Sequence, residues 1–238
     1  MKVLVIGGMH GNEPLGLAVV EQLRRTPINS VDTLIANDEA VRATVRFTGE
    51  DLNRSFPGSL RSKRYEQRRA AEILKITKNY DVVLDFHNTH CPDNDCGFVG
   101  DGASEQLFNT ASFLGLPRVI VADYDCINKY ALNCLSVEVS LDSPVNSVEV
   151  WCERIRQLAV LDTAPVASDV EKYRFVYRMT IEDRDRLALP TKGLRAFQPL
   201  EPKIATELGV ISPAYPIFVG DAYTPYNYGG VLNRIELD

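Results

Sequence analysis

A glycine turn that carries a histidine and a glutamate follows the first apolar segment of the chain. Residues 1–6 form a short apolar run, two glycines come next, and His10 and Glu13 stand just beyond them. Imidazole nitrogen and carboxylate oxygen both suit zinc, and two histidines, one glutamate and a water form a catalytic zinc site. The spacing therefore predicts a metal site, with a helix start beside a buried histidine as the alternative interpretation.

A third ligand must come from elsewhere in a chain that has only three histidines. His87 and His90 both follow an apolar run at residues 82–86. The carboxyl ends of parallel strands meet at one edge of a sheet, where open α/β folds bind their ligands. His87 can therefore converge with the first turn, and Asp85, on the same strand face, can orient its imidazole. The alternative is a strand-end histidine with an ordinary hydrogen bond.

A polar segment at residues 46–57 contains two arginines and an asparagine. The segment has no amphipathic period, which predicts a loop. Arg46, Asn53 and Arg54 can clamp a carboxylate, because planar guanidinium groups make paired hydrogen bonds to it. The alternative is a solvated loop in which Asp51 pairs with an arginine.

Glu138 is a single acidic residue within the apolar run at residues 134–139. Glutamate is rarely buried unless it is paired. Beside a metal-bound water, such a carboxylate can act as a general base. The alternative is that Glu138 faces solvent from an edge strand.

Five cysteines are scattered along the chain. An odd number without regular spacing argues against a disulfide framework and favours a reducing compartment, so we expect a cytoplasmic protein. Cys91 and Cys96 lie close to His87 and could contribute to a structural zinc site. No second Cys/His pair accompanies them, so two ordinary thiols in a loop are the favoured interpretation.

The overall composition limits the classes of function. The chain has 238 residues and a formal net charge of -6. Nucleic acid is a poor partner for a mildly acidic chain, because binding to the phosphate backbone relies on clustered Lys and Arg. No apolar run approaches the roughly 18 residues of a membrane span, and we expect no signal peptide. Neither nucleic acid nor membrane is therefore an expected partner.

Strand and helix patterns alternate over the first 160 residues or so. The pattern predicts strands at residues 3–6, 31–35, 82–86, 119–121 and 134–139, and helices at residues 14–25, 65–77, 104–114 and 147–161. Alternation of this kind predicts an α/β sheet with helices on both faces.

The composition changes near residue 162, where a stretch rich in small residues predicts a linker. Beyond it come short runs, such as residues 173–180, that are broken by six of the 13 prolines. Extended segments and turns are typical of such a pattern. We therefore expect a catalytic domain at residues 1–162 and a small β-rich domain at residues 163–238.

Five ordered sequence blocks resemble the aspartoacylase/succinylglutamate desuccinylase family of zinc amidohydrolases. They are GGMHGNEPLG, RFTGEDLNRSF, DFHNT, VEV and YPIFVGDAY, and they span residues 7–223. The resemblance implies a zinc-carboxypeptidase-like α/β fold, with a mixed central sheet, helices on both faces and a small C-terminal β-rich domain.

The resemblance also implies catalytic roles for residues of the first four blocks. His10, Glu13 and His87 would bind one Zn²⁺ per chain. Glu138 would be the general base and proton shuttle, and Arg46 would polarise the scissile carbonyl and hold the oxyanion. Mixed nitrogen and oxygen ligands also bind cobalt or nickel, so ligand type alone does not select zinc.

Substrate contacts follow from the same resemblance. Asn53 and Arg54 would bind the carboxylate of the amino-acid part of the substrate. A C-terminal tyrosine would contact the substrate, with Tyr223 as the first choice and Tyr226 as the second. Aspartoacylases carry a further carboxylate-anchoring arginine shortly before the catalytic glutamate. This chain has Lys129 in that stretch, which could substitute as a point charge without the guanidinium fork.

These roles predict a zinc-dependent amidohydrolase that releases a carboxylate and an amino acid from an N-acyl amino acid, such as N-acetylaspartate. A metallocarboxypeptidase acting on peptide C-termini is one alternative, and a non-catalytic metal- or carboxylate-binding module is another. The expected partner is a small-molecule substrate, and the family often forms homo-oligomers. His90 has no role in the resemblance, so we expect a bystander at the pocket rim, with an acid/base or substrate contact as the alternative.

Overall fold

The computed structural model describes residues 1–163, 165, 170–190, 194–222 and 227–235, in which nine strands form one sheet. The strands are β1 (Val3–Gly7), β2 (Val31–Ile35), β3 (Val82–Thr89), β4 (Cys96–Gly100), β5 (Arg118–Ala122), β6 (Cys134–Ser140), β7 (Glu171–Thr180), β8 (Ala214–Ile217) and β9 (Asn227–Arg234). Their order across the sheet is β2-β1-β3-β6-β4-β5-β7-β9-β8.

Eight helices and one short 3-10 helix, Leu52–Arg54, accompany these strands in the described ranges. The helices are α1 (Pro14–Arg25), α2 (Asp38–Ala43), α3 (Tyr65–Thr77), α4 (Glu105–Phe113), α5 (Ile127–Tyr130), α6 (Val148–Ala159), α7 (Ile181–Arg186) and α8 (Pro202–Glu207). None of these helices has both the length and the apolar character that crossing a bilayer requires.

Strand direction makes the sheet mixed. The neighbours β2, β1, β3 and β6 run parallel, whereas β4 is antiparallel to β6 and parallel to β5. The C-terminal strands extend the same sheet, because β7 pairs with β5 and β9 lies antiparallel between β7 and β8. The predicted fold class, a mixed α/β sheet with a β-rich C-terminal part, is confirmed. The division into two domains after residue 162 stays a prediction.

Helices cover both faces of the parallel half of the sheet. On one face, α1 and α6 pack their buried side chains against the strands, with Trp151 edge-on to Phe86 at 5.2 Å between ring centroids. On the other face, Ala70 and Ile73 of α3 pack against Leu4 and other residues of the strands. Burial on both faces explains why β1 and the start of β3 are continuous apolar runs instead of alternating patterns.

Two segments differ from the sequence-based expectation. The strand predicted at residues 82–86 continues to Thr89, so His87 lies within β3 and not after it. The loop expected around Cys91 and Cys96 contains β4, and both thiols are buried. In the described ranges, one group of His, Cys, Asp and Glu side chains has the spacing of a metal site, and it includes neither cysteine.

Candidate functional site

The turn after β1 and the end of β3 meet because the two strands are parallel neighbours. Ile6 pairs with Asp85, so the residues that follow each of them emerge at the same edge of the sheet. Gly8 has a positive φ of 69°, and a Cβ there would lie 2.7 Å from Leu17 Cδ2. Glycine therefore permits the tight turn that brings His10 beside β3.

His10, Glu13 and His87, called here the His-Glu-His cluster, form a buried group at this edge. Glu13 bridges the two imidazoles: its Oε1 lies 2.7 Å from His10 Nδ1, and its Oε2 lies 2.9 Å from His87 Nδ1. One ligand atom from each of the three residues lies within 4.8 Å of the others. All three side chains are at most 3% exposed.

A second carboxylate contacts the outer nitrogen of each imidazole. His10 Nε2 lies 3.2 Å from Asp51 Oδ1, and His87 Nε2 lies 2.8 Å from Asp85 Oδ2. Each carboxylate can accept a hydrogen bond from the Nε2–H of its histidine, and Nδ1 of each ring faces Glu13. Metal-binding histidines characteristically donate their other ring N–H in this way.

The carboxylates around the His-Glu-His cluster favour a positive charge between its members. Burial alone would lower the pKa of His87, but Asp85 and Glu13 outweigh it and hold the pKa well above its ordinary value. Burial likewise opposes ionisation of Glu13, and both histidines outweigh it and lower the pKa of that carboxyl. Either protons on the imidazoles or a divalent cation bound by the same donor atoms can supply this positive charge.

The His-Glu-His cluster opens onto a pocket that we call the cleft. Its other charged and aromatic lining residues are Arg46, Arg54, Tyr124, Glu138, Phe175, Arg178, Phe218 and Asp221. Asn53 and Asn88 also line it. The cleft therefore brings together most of the residues that the sequence analysis selected for chemistry.

Glu138 lies opposite His87 in the pairing of β6 with β3. Since β6 is an interior strand between β3 and β4, Glu138 faces the cleft and not open solvent from a sheet edge. Burial raises the pKa of Glu138 to about 7, with Glu13 and Asp221 adding to the rise and His87 opposing it. A carboxyl with that pKa can both accept and return a proton near neutral pH.

Arg46 reaches the His-Glu-His cluster from the loop after α2. Its Nη1 lies 3.3 Å from Glu13 Oε1, and its Nη2 lies 3.4 Å from Asp51 Oδ2. Its Nε is buried and has no hydrogen-bond partner in the part of the chain that the structure describes. A buried donor of this kind suits a ligand oxygen, because an unmade hydrogen bond costs free energy.

Asn53 and Arg54 are held in place by the short 3-10 helix. Asp51 caps it, since its carboxylate accepts a hydrogen bond of 2.9 Å from the Asn53 N–H. Asn53 Oδ1 accepts from the Ile127 N–H at 3.1 Å, so its Nδ2 is the end left to donate to a ligand. The Arg54 guanidinium carbon lies 4.9 Å from the centroid of the Tyr124 ring.

The cleft lining includes neither Lys129 nor His90. Lys129 Nζ forms ion pairs with Asp123 at 3.3 Å and Asp125 at 3.5 Å, and it does not line the cleft. His90 is exposed and is likewise absent from the cleft lining. Tyr223 and Tyr226 lie outside the described residues.

The aromatic and C-terminal side of the cleft was not predicted from the sequence. Tyr124 follows β5, whereas Phe175 and Arg178 belong to β7 and Phe218 follows β8. Only the block at residues 215–223 marked this region in the sequence. No local sequence motif predicts that Arg178 lines the cleft, because its position there depends on how β7 pairs with distant strands.

Curated relatives match a limited part of the chain. The N-acyl-aromatic-L-amino acid amidohydrolase (carboxylate-forming) of Xenopus laevis is 37% identical over 105 residues, covering 37% of this chain and 34% of the relative. The aspartoacylase of Mus musculus is 38% identical over 106 residues, with 37% and 34% covered. The aligned stretch thus spans about a third of the length of these relatives.

Solved structures resemble the whole chain. The succinylglutamate desuccinylase from Chromobacterium violaceum matches with a TM-score of 0.77 at 16% identity, covering 99% of this chain and 85% of that one. Murine aminoacylase 3 matches with a TM-score of 0.70 at 20% identity, with 99% and 95% covered. These likenesses establish a shared fold.

The sequence of residues 1–130 matches the succinylglutamate desuccinylase/aspartoacylase catalytic domain. That match covers more than half of the chain, and it contains the His-Glu-His cluster together with Arg46, Asn53 and Arg54. The chain therefore belongs to the succinylglutamate desuccinylase/aspartoacylase family.

Proposed function

We propose that this protein is a zinc-dependent deacylase that hydrolyses the amide bond of a small N-acyl amino acid. The products would be a carboxylate and the free amino acid, and the substrate would be N-acetylaspartate or a related N-acylated acidic amino acid. The observation that carries the proposal is the His-Glu-His cluster, whose ligand atoms lie within 4.8 Å of one another in a cleft shared with Glu138 and Arg46.

His10, Glu13 and His87 would hold the metal through two Nδ1 atoms and a carboxylate oxygen. Asp51 and Asp85 would keep each imidazole in the required tautomer through their contacts with Nε2. When bound, zinc acts as a Lewis acid and lowers the pKa of a coordinated water from 15.7 toward about 7.

Glu138 would move the proton of the reaction. It takes a proton from the attacking water as the oxygen adds to the amide carbon. It then returns that proton to the nitrogen of the leaving amine as the C–N bond breaks. Burial raises the pKa of Glu138 above that of an ordinary carboxyl, which helps it to hold the proton between the two steps.

Arg46 would stabilise the negative charge that develops on the carbonyl oxygen. Its buried Nε–H has no partner in the described ranges, so a substrate oxygen would meet an unused donor there. Fixed donors at a developing oxyanion are typically worth roughly 3–4 kcal/mol each. Neighbouring Asn53 and Arg54 would bind the α-carboxylate, and Tyr223 remains a predicted substrate contact.

The test is amine release from a panel of N-acyl amino acids by zinc-loaded protein, with the Glu138→Gln variant run alongside. The panel contains N-acetylaspartate, N-acetylglutamate, N-succinylglutamate, neutral acyl amino acids and a blocked dipeptide. We expect turnover of at least one acyl amino acid, its loss in Glu138→Gln, and equal zinc content in both proteins.

Other outcomes would contradict specific parts of the proposal. Preference for the blocked dipeptide would favour a metallocarboxypeptidase. The absence of amine release from every panel member, in protein that has bound zinc, would favour a binding module. Loss of zinc from the Glu138→Gln variant would mean that Glu138 helps to hold the metal and is not simply a base.

A further inference from the structure

Arg178 reaches the cleft because of a bulge in β7. The pairing of β7 with β9 shifts register between Phe175 and Tyr177, so Val176 is an extra residue in the ladder. Side chains of a regular strand alternate between faces, so residues three apart would lie on opposite faces. The bulge removes this alternation, and both Phe175 and Arg178 line the cleft.

Glycines of β9 line the cleft beside Arg178. Arg178 pairs with Gly230 of β9, and the adjacent Gly229 also lines the cleft. A Cβ at position 230 would lie only 2.5 Å from Phe175 Cε2. Glycine at position 230 therefore makes room for the Phe175 ring, which any larger residue would crowd.

The Tyr124 ring contacts both Arg54 and Arg178. The guanidinium carbons lie 4.9 Å and 5.6 Å from the ring centroid, respectively, which is within the range of cation–π attraction. Phe175 packs edge-on to Tyr124 with 5.4 Å between centroids, so the ring itself is fixed. Two cations from distant parts of the sequence thus lie beside one ring and line the cleft.

The contacts of Arg54 differ from those of Arg46. Arg46 contacts the carboxylates of Glu13 and Asp51, whereas the Arg54 guanidinium donates to the backbone carbonyl of Asn53. A ligand with two carboxylates would give each of the two guanidinium groups, Arg54 and Arg178, an anionic partner. One carboxylate beside Arg54 accounts for only one of the two cations.

We propose that Arg178 determines substrate specificity by binding a second carboxylate, the one on the side chain of an N-acylated acidic amino acid. The inference rests on the proposed function, since it takes the α-carboxylate to lie at Asn53 and Arg54. It assigns to Arg178 the anchoring part that the sequence analysis expected of Lys129, which the fold places outside the cleft. A guanidinium suits this part better than an ammonium, because it can bind a carboxylate in a bidentate manner.

The experiment compares ligands that differ only in the charge of the side chain. N-acetyl-L-aspartate and N-acetyl-L-asparagine are titrated calorimetrically into zinc-loaded Glu138→Gln protein, in which turnover is suppressed. Hydrolysis of both is also measured in the protein that retains Glu138. N-succinyl-L-alanine is included to test whether the second carboxylate comes from the acyl group instead.

The variants separate charge from fold. Arg178→Gln should weaken N-acetyl-L-aspartate binding and kcat/KM by about 10- to 100-fold, the usual loss of a charge-assisted hydrogen bond, and leave N-acetyl-L-asparagine within about threefold. Arg178→Lys should retain part of the preference. Arg174→Gln is the matched control, because Arg174 lies on the same strand and pairs with Asp101 away from the cleft.

Each contrary result has a separate meaning. Equal losses for the aspartate and asparagine ligands, or no loss for either, would overturn the assignment of Arg178 while leaving a deacylase intact. A loss confined to N-succinyl-L-alanine would place the second carboxylate on the acyl group and overturn the side-chain assignment. A zinc-loaded protein that neither binds nor hydrolyses any of the ligands would overturn the proposed function and this inference with it.

Discussion

His10 Nε2 lies 3.2 Å from Asp51 Oδ1, so a residue 41 positions further along the chain orients the first histidine of the His-Glu-His cluster. The same carboxylate contacts Arg46 through its other oxygen and caps the 3-10 helix that carries Asn53. Asp51 thus connects the metal-binding side of the cleft with its substrate-binding side. A substitution at this position should therefore affect both metal binding and substrate binding.

Replacement of Asp51 by Asn should weaken zinc binding by about 10- to 100-fold, the usual effect of losing the carboxylate partner of a ligating histidine. The amide oxygen can still cap the 3-10 helix, so the fold should persist. Competition with a chromophoric chelator measures the affinity. Glu50→Gln is the control, because Glu50 pairs with exposed Arg64 and not with the cluster. An unchanged zinc affinity in Asp51→Asn would refute the positioning role.

Replacement of Arg46 by Ala should lower kcat by about 10²- to 10³-fold, because it removes a fixed donor to the developing oxyanion. Steady-state kinetics on the preferred acyl amino acid measures the effect. The neighbouring Arg42→Ala serves as control, since Arg42 is exposed on α2 and does not line the cleft. A kcat within about threefold of that of the unmodified protein would rule out the assigned role.

The identity of the His-Glu-His cluster can be tested by stability alone. Zinc at about 100 times its Kd should stabilise the folded protein by about 2.7 kcal/mol, provided that the unfolded chain does not bind it. For a chain of this size, that gain corresponds to a rise in Tm of about 5 °C or more. His87→Ala should abolish the rise, and His90→Ala should preserve it, because His90 is exposed and outside the cleft. Equal shifts in both variants would place the metal elsewhere.

The first half of the candidate site could be predicted because its chemistry is local in sequence. His10 and Glu13 are three residues apart after β1, and His87 follows Asp85 by two residues in β3. Parallel neighbouring strands then require these segments to meet. The helix bounds at residues 14–25 and 65–77 were likewise predictable, because apolar residues recur there at helical spacing.

The rest of the site depends on pairings that no local pattern encodes. Cys96–Gly100 forms β4 in a stretch whose polar and cysteine residues favoured a loop. Because β4 pairs with β6, β6 becomes an interior strand of the sheet. Arg178 faces the cleft only through the bulge in β7. Lys129 lies in the stretch where a second carboxylate-anchoring residue was expected, yet the short helix α5 directs its side chain to Asp123 and Asp125.

Zinc binding should release protons and weaken as the pH falls. Burial acts to lower the pKa of His10, but Glu13 and Asp51 outweigh it and leave the pKa raised; the pKa of His87 is raised further by Asp85 and Glu13. A raised pKa increases the protonated fraction of an imidazole at a given pH, and a metal can bind its nitrogen only by displacing the proton. Lower pH therefore strengthens the competition and lowers the affinity.

Titration calorimetry with zinc at pH 7, in two buffers of different ionisation enthalpy, measures the number of protons released. We expect net release, and a smaller release when His87 is replaced by Ala, because one of the two imidazoles with a raised pKa is then absent. Repeating the titration at pH 6 should give a weaker apparent affinity. Zinc binding without proton release, or with an affinity independent of pH, would contradict the arrangement in which both Nδ1 atoms are directed at Glu13.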